Sequence, residues 1–160
     1  MQKVAVLLTV HNSLEQTLDC LRNCYQQIDS MKGDGMYSFT VYLVNDGCTD
    51  GTAEAVAENF PQTRIVRGSG TLYWNLGMHA AWEEAAKDAP DFYLWANVRA
   101  RMKEGALACL METSMFLRHK AIVVGTAEDS SGELSYGGRN KSGKIVAVSY
   151  THLTLPTNRE

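Results

Sequence analysis

The chain has 160 residues, of which 45% are hydrophobic and 21% are charged, and its formal net charge is −3 at pH 7. This length corresponds to about one domain and is enough to bury an apolar core without disulfides or metals. The mild acidity, with no basic stripe in the sequence, argues against a nucleic-acid partner. No apolar run is long enough to predict a transmembrane segment. The four cysteines show no zinc-ligand spacing, so we expect reduced thiols of a cytoplasmic protein.

Apolar runs alternate with amphipathic segments through the first part of the chain. Residues 3–9 form a continuous apolar and β-branched run, which predicts a buried strand. A helix is predicted from Ser13, with Gln16 three residues later as in a capping box. A second strand is predicted at 39–44, and Asp50 is placed to cap the helix that follows it.

The same alternation continues to about residue 125. The next predicted elements, in chain order, are a strand at 64–67, a helix at 74–87, a strand at 91–96, a helix at 103–118 and a strand at 121–124. Turn residues then separate short extended pieces at 133–136 and 144–149, which is typical of an antiparallel hairpin. The alternation predicts an α/β fold, in which a mostly parallel sheet is covered by helices on both faces.

The candidate site residues follow the first four predicted strands, because ligands of such sheets bind at the carboxyl ends of the strands. They are Thr9, Val10, His11, Asn12, Asn45, Asp46, Gly47, Arg67, Gly68, Gly70, Trp74, Asn75, Asn97 and Arg99. The polar side chains at 9–12 and 45–47 suit hydrogen bonding to a ligand, and a capped turn or an Asx-turn is the alternative explanation. Gly68 and Gly70 allow a ligand to approach the backbone closely.

Several enzyme classes are disfavoured by motifs that the sequence lacks. No glycine follows the first strand as G-x-G-x-x-G requires, and no G-x-x-x-x-G-K-[ST] occurs, which disfavours a Rossmann dehydrogenase and a P-loop enzyme. There is no G-x-S-x-G elbow. The four histidines are dispersed, and no feature identifies a base that would activate Cys48. We therefore assign no catalytic residue.

Five segments together resemble the family 2 glycosyltransferases, which have the inverting GT-A fold. They are V-A-V-L-L-T-V-H-N, V-Y-L-V-N-D-G-C-T-D-G-T, G-S-G-T-L-Y-W-N-L-G-M-H-A-A-W, F-Y-L-W-A-N and L-S-Y-G-G-R. The strand followed by D-G-x-T-D-G-T is the most specific of them, and Y-W-N-x-G-M is similar to the rhamnosyltransferase-like branch. The resemblance extends from residue 3 to about residue 148. It implies a GT-A, Rossmann-like nucleotide-sugar-binding domain.

The resemblance also implies roles for the candidate residues. Thr9, His11 and Asp46 match positions that hold the base of the donor, and Asn12 supports that loop. A flat imidazole at position 11 can stack on a base where the family commonly has an aromatic residue. The segment with Gly68, Gly70 and Asn75 matches the part that approaches the ribose and the diphosphate.

The loop after the fourth strand departs from the family pattern. The family ends this strand in an acidic D-x-D-type pair, often written N-D-D-T; Asn97 matches, whereas Val98, Arg99 and Ala100 replace the acids and the threonine. Mg²⁺ or Mn²⁺ is the cofactor expected for the family, but these cations need oxygen ligands, so we assign no metal-binding residue. Arg99 is either a guanidinium that pairs with the diphosphate in place of the metal, or a solvated residue before the next helix.

Family members continue well beyond the length of this chain, and their later part supplies the acceptor site and the carboxylate base. The resemblance therefore implies that residues 1–148 are an incomplete GT-A domain with little turnover on its own. Residues 149–160 do not resemble the family and look like translated sequencing-adaptor DNA, so we expect an artefactual tail on a truncated frame. The alternative is a non-catalytic nucleotide-binding or interaction module that has lost the metal site.

The partners implied by the resemblance are a nucleoside-diphosphate sugar and a glycan or lipid-linked acceptor of unknown identity. The implied process is polysaccharide biosynthesis. We expect a cytoplasmic location, with peripheral attachment to the inner face of the membrane as a further option.

Overall fold

The computed structural model describes residues 1–129, 131–132 and 134–136. The chain forms two compact units, Met1–Lys103 and Glu104–Glu160. The predicted strand at 144–149, the predicted domain boundary at residue 148 and the tail at 149–160 lie outside the described residues. Within the described ranges, no helix is long and apolar enough to cross a membrane.

The first unit alternates between strands and helices in the predicted order. Its elements are β1 (Gln2–Val10), α1 (Leu14–Met31), a 3-10 turn (Lys32–Asp34), β2 (Tyr37–Asn45), α2 (Thr52–Asn59), β3 (Arg64–Arg67), α3 (Tyr73–Ala86) and β4 (Phe92–Trp95). The four strands are parallel and lie in the order β3-β2-β1-β4. This confirms the predicted α/β fold.

Strand β1 lies inside the sheet, with β2 on one side and β4 on the other. Ala5 and Leu7 pack in a core cluster with Met78, Ala81 and Ala85 of α3. Val6 points to the opposite face and is fully buried as well. A parallel strand buried on both faces has no polar face, which is why residues 3–9 read as a continuous apolar run.

The crossovers place helices on both faces of the sheet. The connections through α1 and α2 each step to the next strand in one direction, whereas α3 carries the chain back past β2 and β1 to β4. Because such crossovers are right-handed, α3 lies on the face opposite to α1 and α2. The strand order therefore reverses between β1 and β4, and this boundary is the topological switch point of the sheet.

The second unit contains α4 (Ala106–Phe116) and a two-stranded antiparallel sheet of β5 (Ala127–Glu128) and β6 (Leu134–Tyr136). The predicted strand at 121–124 is wrong, because this segment has no strand structure. Ile122 is 74% exposed and Val124 is 45% exposed. A short apolar run predicts a strand only on the assumption that a neighbouring strand hydrogen-bonds to it and buries it.

Close packing of α3 on β1 depends on Gly77. A Cβ at this position would lie 2.2 Å from Oγ1 and 2.9 Å from Cβ of Thr9. Any side chain would therefore push the helix away from the strand. This contact also fixes the start of α3 relative to the end of β1, where the candidate site residues lie.

We predict that Gly77→Ala destabilises the protein, although alanine is the better helix former by about 1 kcal/mol. Overpacking of a tight contact costs about 1–3 kcal/mol, so the free energy of unfolding in urea should fall. Gly33→Ala is the matched control, because a Cβ there would have no heavy atom within 4 Å. Equal stability of the Gly77→Ala variant and the unmodified chain would contradict this account of the helix–strand contact.

Candidate functional site

The loops after β1 and β2 are joined by side-chain hydrogen bonds at the carboxyl end of the sheet. The carbonyl of Asp46 accepts a hydrogen bond from Nδ1 of His11 at 2.5 Å. Since a carbonyl oxygen only accepts, Nδ1 carries the proton, and Nε2 accepts from the amide of Asn12 at 3.4 Å. The exposed imidazole of His11 is therefore held in one orientation.

Asn12 and Asn45 are used to shape these two loops. Asn12 has a left-handed backbone with φ 46°, which asparagine tolerates, and its Oδ1 accepts from the N–H of Thr49 at 2.8 Å. Oδ1 of Asn45 accepts from the N–H of Cys48 at 2.9 Å. Asn45 therefore forms a turn, which was the alternative explanation for the polar residues at 45–47. The ligand-binding roles of both asparagines stay predictions.

Cys48 lies between the same loops as an uncharged thiol. Its Sγ accepts from the N–H of Asn12 at 3.3 Å and donates to the carbonyl of Val10 at 3.6 Å. Burial raises the pKa of the Cys48 thiol. These features describe a packing residue and give no support to a nucleophile.

Asp46 is a buried carboxylate that organises the loop between β3 and α3. It is 3% exposed. One oxygen accepts from the N–H of Gly70 at 2.7 Å, and the other accepts from the N–H groups of Leu72 and Tyr73 at 2.9 and 3.1 Å. Three backbone donors offset the cost of burying the charge, and the start of a helix favours an anion. The predicted contact of Asp46 with the base stays a prediction.

The glycines of these loops permit loop-to-loop packing. A Cβ on Gly47 would lie 2.7 Å from Cα of Gly70, and a Cβ on Gly68 would lie 2.8 Å from Oδ1 of Asp46. Gly47 and Gly70 also have φ of 66° and 92°, which other residues rarely adopt. Close protein contacts and positive φ angles therefore explain why glycine is needed at these three positions. The approach of a ligand to Gly68 and Gly70 stays a prediction.

Asp50 joins the starts of two helices. Its Oδ2 accepts from the N–H of Leu14, the first residue of α1, at 3.0 Å. Its Oδ1 accepts from the N–H and the hydroxyl of Thr52 in α2 at 3.1 and 2.5 Å. The N-cap of α2 is Gly51 and not Asp50 as predicted, and Asp50 bonds to the first N–H of this helix from the position before the N-cap. The predicted capping box at Ser13 is wrong, since the Ser13 side chain does not cap α1 and its hydroxyl donates to the carbonyl of His11.

The loop after β4 is an exposed turn anchored to α1. The backbone N–H of Ala100 donates to the carbonyl of Asn97 at 2.9 Å, and Oδ1 of Asn97 accepts from the N–H of Arg99 at 2.9 Å. Further along, the amide of Asn23 both donates to and accepts from the backbone of Met102, at 3.0 and 2.8 Å. The turn therefore holds Arg99 in a defined backbone position.

The remaining candidates are spread along the exposed rim. Arg67 and Asn75 are exposed, and Trp74 packs edge-to-face against Trp95 with ring centroids 5.9 Å apart.

The sequence analysis missed two residues that position the site, Asn23 on α1 and Gly77 on α3. Asn23 is 7% exposed. Its polar side chain on the buried face of α1 is the sequence feature that could have identified it.

Divalent cations do not fit the residues of this site. Across the described part of the chain, no group of three or more His, Cys, Asp or Glu side chains is arranged to hold a metal ion. Both oxygens of Asp46 and of Asp50 already accept from the protein. The turn after β4 offers Val98 and Arg99, and neither supplies an oxygen ligand from its side chain.

Comparisons with known proteins agree with this architecture. No family model matches the sequence, and no curated protein matches it. The structure is similar to the mannosyltransferase PcManGT from Pyrobaculum calidifontis, solved in complex with GDP-Man and Mn²⁺, with a TM-score of 0.56 and 22% identity over 68% of this chain. It is also similar to TarS 1-349 from S. aureus, with a TM-score of 0.57 and 19% identity over 72% of this chain.

The chain has the GT-A glycosyltransferase fold. It spans about a third of those two structures, 31% of PcManGT and 33% of TarS 1-349. The GT-A fold predicted from the motifs is thereby confirmed. Membership of family 2, the rhamnosyltransferase-like branch and the ligand roles of the site residues stay predictions.

We predict that Asp46→Asn destabilises the site loops. The amide presents an NH₂ group to a backbone N–H, which leaves a buried donor unsatisfied at a cost of about 1–3 kcal/mol. The free energy of unfolding should fall accordingly, and the Gly70 amide should exchange faster in hydrogen-exchange NMR. Asp29→Asn is the control, because the Asp29 carboxylate is 61% exposed and its ion pair within the described residues is with Lys32 at the surface. Equal losses in both variants would argue against the role of Asp46.

A second prediction concerns the pH dependence that Asp50 contributes. The hydroxyl of Thr52, followed by the N–H groups of Thr52 and Leu14, lowers the pKa of this carboxyl below its ordinary value of 3.8. A pKa lowered by folding stabilises the protein above the unfolded pKa, and this stability is lost as the pH falls through the folded pKa.

The stability difference between the unmodified chain and Asp50→Asn should therefore stay constant from about pH 7 to pH 5 and shrink below about pH 4. A carboxyl NMR titration checks the cause directly. Thr52→Val removes the donor with the largest effect and should move the Asp50 pKa back up. An Asp50 pKa at or above the ordinary value in the unmodified chain would refute the cause assigned here.

Proposed function

We propose that this chain binds a nucleoside-diphosphate sugar at the carboxyl ends of β1 to β4, as the donor-binding part of an inverting glycosyltransferase. The observation that carries the proposal is the switch point between β1 and β4 of a GT-A fold, bordered by ordered polar loops. PcManGT, which shares this fold, was solved with GDP-Man. We also propose that the parent enzyme acts in the cytoplasm in polysaccharide biosynthesis, on a glycan or lipid-linked acceptor.

The loops after β1 and β2 suit the base of such a donor. His11 is exposed, and its ring is held by the carbonyl of Asp46 and the amide of Asn12. A fixed, flat ring can stack on a base with little loss of side-chain entropy on binding. Thr9 lies directly before this loop, half-buried against Gly77, and its position is therefore fixed as well.

The second candidate function is a nucleotide-binding module without transfer activity. The observation in its favour is the same turn after β4, where Val98 and Arg99 stand in place of carboxylates. Both candidates require donor binding, and they differ in the fate of the sugar. The two candidates are distinguished by incubating the chain with a nucleotide sugar and a saccharide acceptor and separating the products by chromatography. A transferase releases free sugar or transfers it to the acceptor, whereas a binding module does neither.

We predict base-dependent binding when nucleoside diphosphates and their sugars are titrated calorimetrically. One base should bind best, and His11→Ala should weaken that ligand while reducing the preference among bases, because the stacking surface is lost. His79→Ala is the matched control, since His79 is an exposed histidine of α3 whose described ion pair is to Glu83 on the same helix. If no ligand of the panel binds at about millimolar concentration, the proposed function fails.

A further inference from the structure

The donor proposed above carries a diphosphate, so its site must supply compensating positive charge or hydrogen-bond donors. Helix N-termini often do this, because their first N–H groups have no partner within the helix. In this chain the first N–H groups of α1 and α2 donate to Asp50. The first N–H of α3, that of Tyr73, donates to Asp46. These donors are therefore taken by the protein's own carboxylates.

A bound divalent cation is the other common source of positive charge. The described residues do not fit one, because no cluster of three or more His, Cys, Asp or Glu side chains occurs among them. This differs from PcManGT, which was solved with Mn²⁺ beside GDP-Man. Among the described residues, side chains of the loops themselves are the remaining source of positive charge.

The loops at the switch point contain cationic side chains and no acid. Residues 9–13 read T-V-H-N-S, and residues 96–101 read A-N-V-R-A-R. The register pairs Leu7 with Trp95, so the turn at 97–100 follows β4 beside the end of β1. Arg99 is exposed on this turn, and its side chain forms no ion pair with the described residues.

The surroundings of Arg99 keep it available to a ligand. Arg99 and Arg101 line a cleft of about 200 Å³ against α1, together with Gln16, Asp19 and Cys20. The one carboxylate among these lining residues, Asp19, pairs with Arg22 at 2.5 Å. The turn is held from both sides, by Asn97 within it and by Asn23 at Met102.

We infer that this chain binds the diphosphate of its donor without a divalent cation, with the Arg99 guanidinium in the place of the metal. The inference rests on the proposed function. A guanidinium presents paired N–H donors that match two phosphate oxygens. No carboxylate is needed to hold it, which is consistent with the valine and alanine on either side of it.

The test is calorimetric titration of UDP, GDP, CDP, ADP and TDP into the full chain, once with EDTA and once with MnCl₂. The dissociation constant of the best ligand should agree within about twofold between the two conditions. Arg99→Ala should weaken binding about tenfold or more in both, and Arg99→Lys should recover part of the loss, because lysine keeps the charge but loses the paired geometry.

Lys87→Ala is the matched control for loss of one positive charge, because Lys87 follows α3 at the far end of the sheet and pairs with Glu84. It should leave affinity unchanged, and circular dichroism should show that all variants are folded. Binding that appears only with MnCl₂, or equal affinity of Arg99→Ala and the unmodified chain, would overturn the inference and leave the proposed function standing. No binding in either condition would overturn both.

Discussion

Two carboxylates from one loop hold the carboxyl end of the sheet together. A parallel sheet with crossover helices brings the starts of several helices to the same edge, and each start has N–H groups without a partner. Asp46 and Asp50 lie in the loop after β2 and accept from N–H groups at the starts of α1, α2 and α3. These bonds position the loops after β1 and β3, whereas Asn97 and Asn23 hold the turn after β4.

This arrangement explains why glycine occurs where it does. Asp46 draws the loop after β3 onto the loop after β2, so that Gly47 meets Gly70 with no room for a side chain on Gly47. Gly77 does the same between α3 and β1, beside Thr9. The polar rim is therefore preformed by backbone contacts, and a ligand bound there would meet side chains that are already oriented, which reduces the entropy lost on binding.

The sequence predicted the parts of the fold that local pattern controls and missed those that depend on distant partners. The strand at 64–67 has the predicted bounds, and β1 was found because its centre at residues 4–8 is buried on both faces and has no polar position. The strand at 121–124 failed because its apolar residues are exposed, which no local pattern reveals. The capping box at Ser13 failed because the Ser13 hydroxyl bonds to the carbonyl of His11 and not to the first turn of α1, which the local pattern does not reveal.

The turn after β4 has an arginine and no carboxylate, and these two features have one physical explanation under the proposed function. A cation between a protein and a diphosphate needs anionic ligands on the protein side as well, because oxygen ligands replace its water shell. A guanidinium needs only the diphosphate, so Val98 and Ala100 lose nothing by having no oxygen. For binding, Arg99 supplies one positive charge where a divalent cation supplies two, and it adds paired N–H donors. In the proposed transfer, the β-phosphate of the donor would gain a second negative charge as the sugar leaves, and a guanidinium held on an anchored turn could donate hydrogen bonds to that charge as it develops. A turn without acids therefore offers no metal site, but it keeps a means to stabilise the leaving group of the proposed transfer.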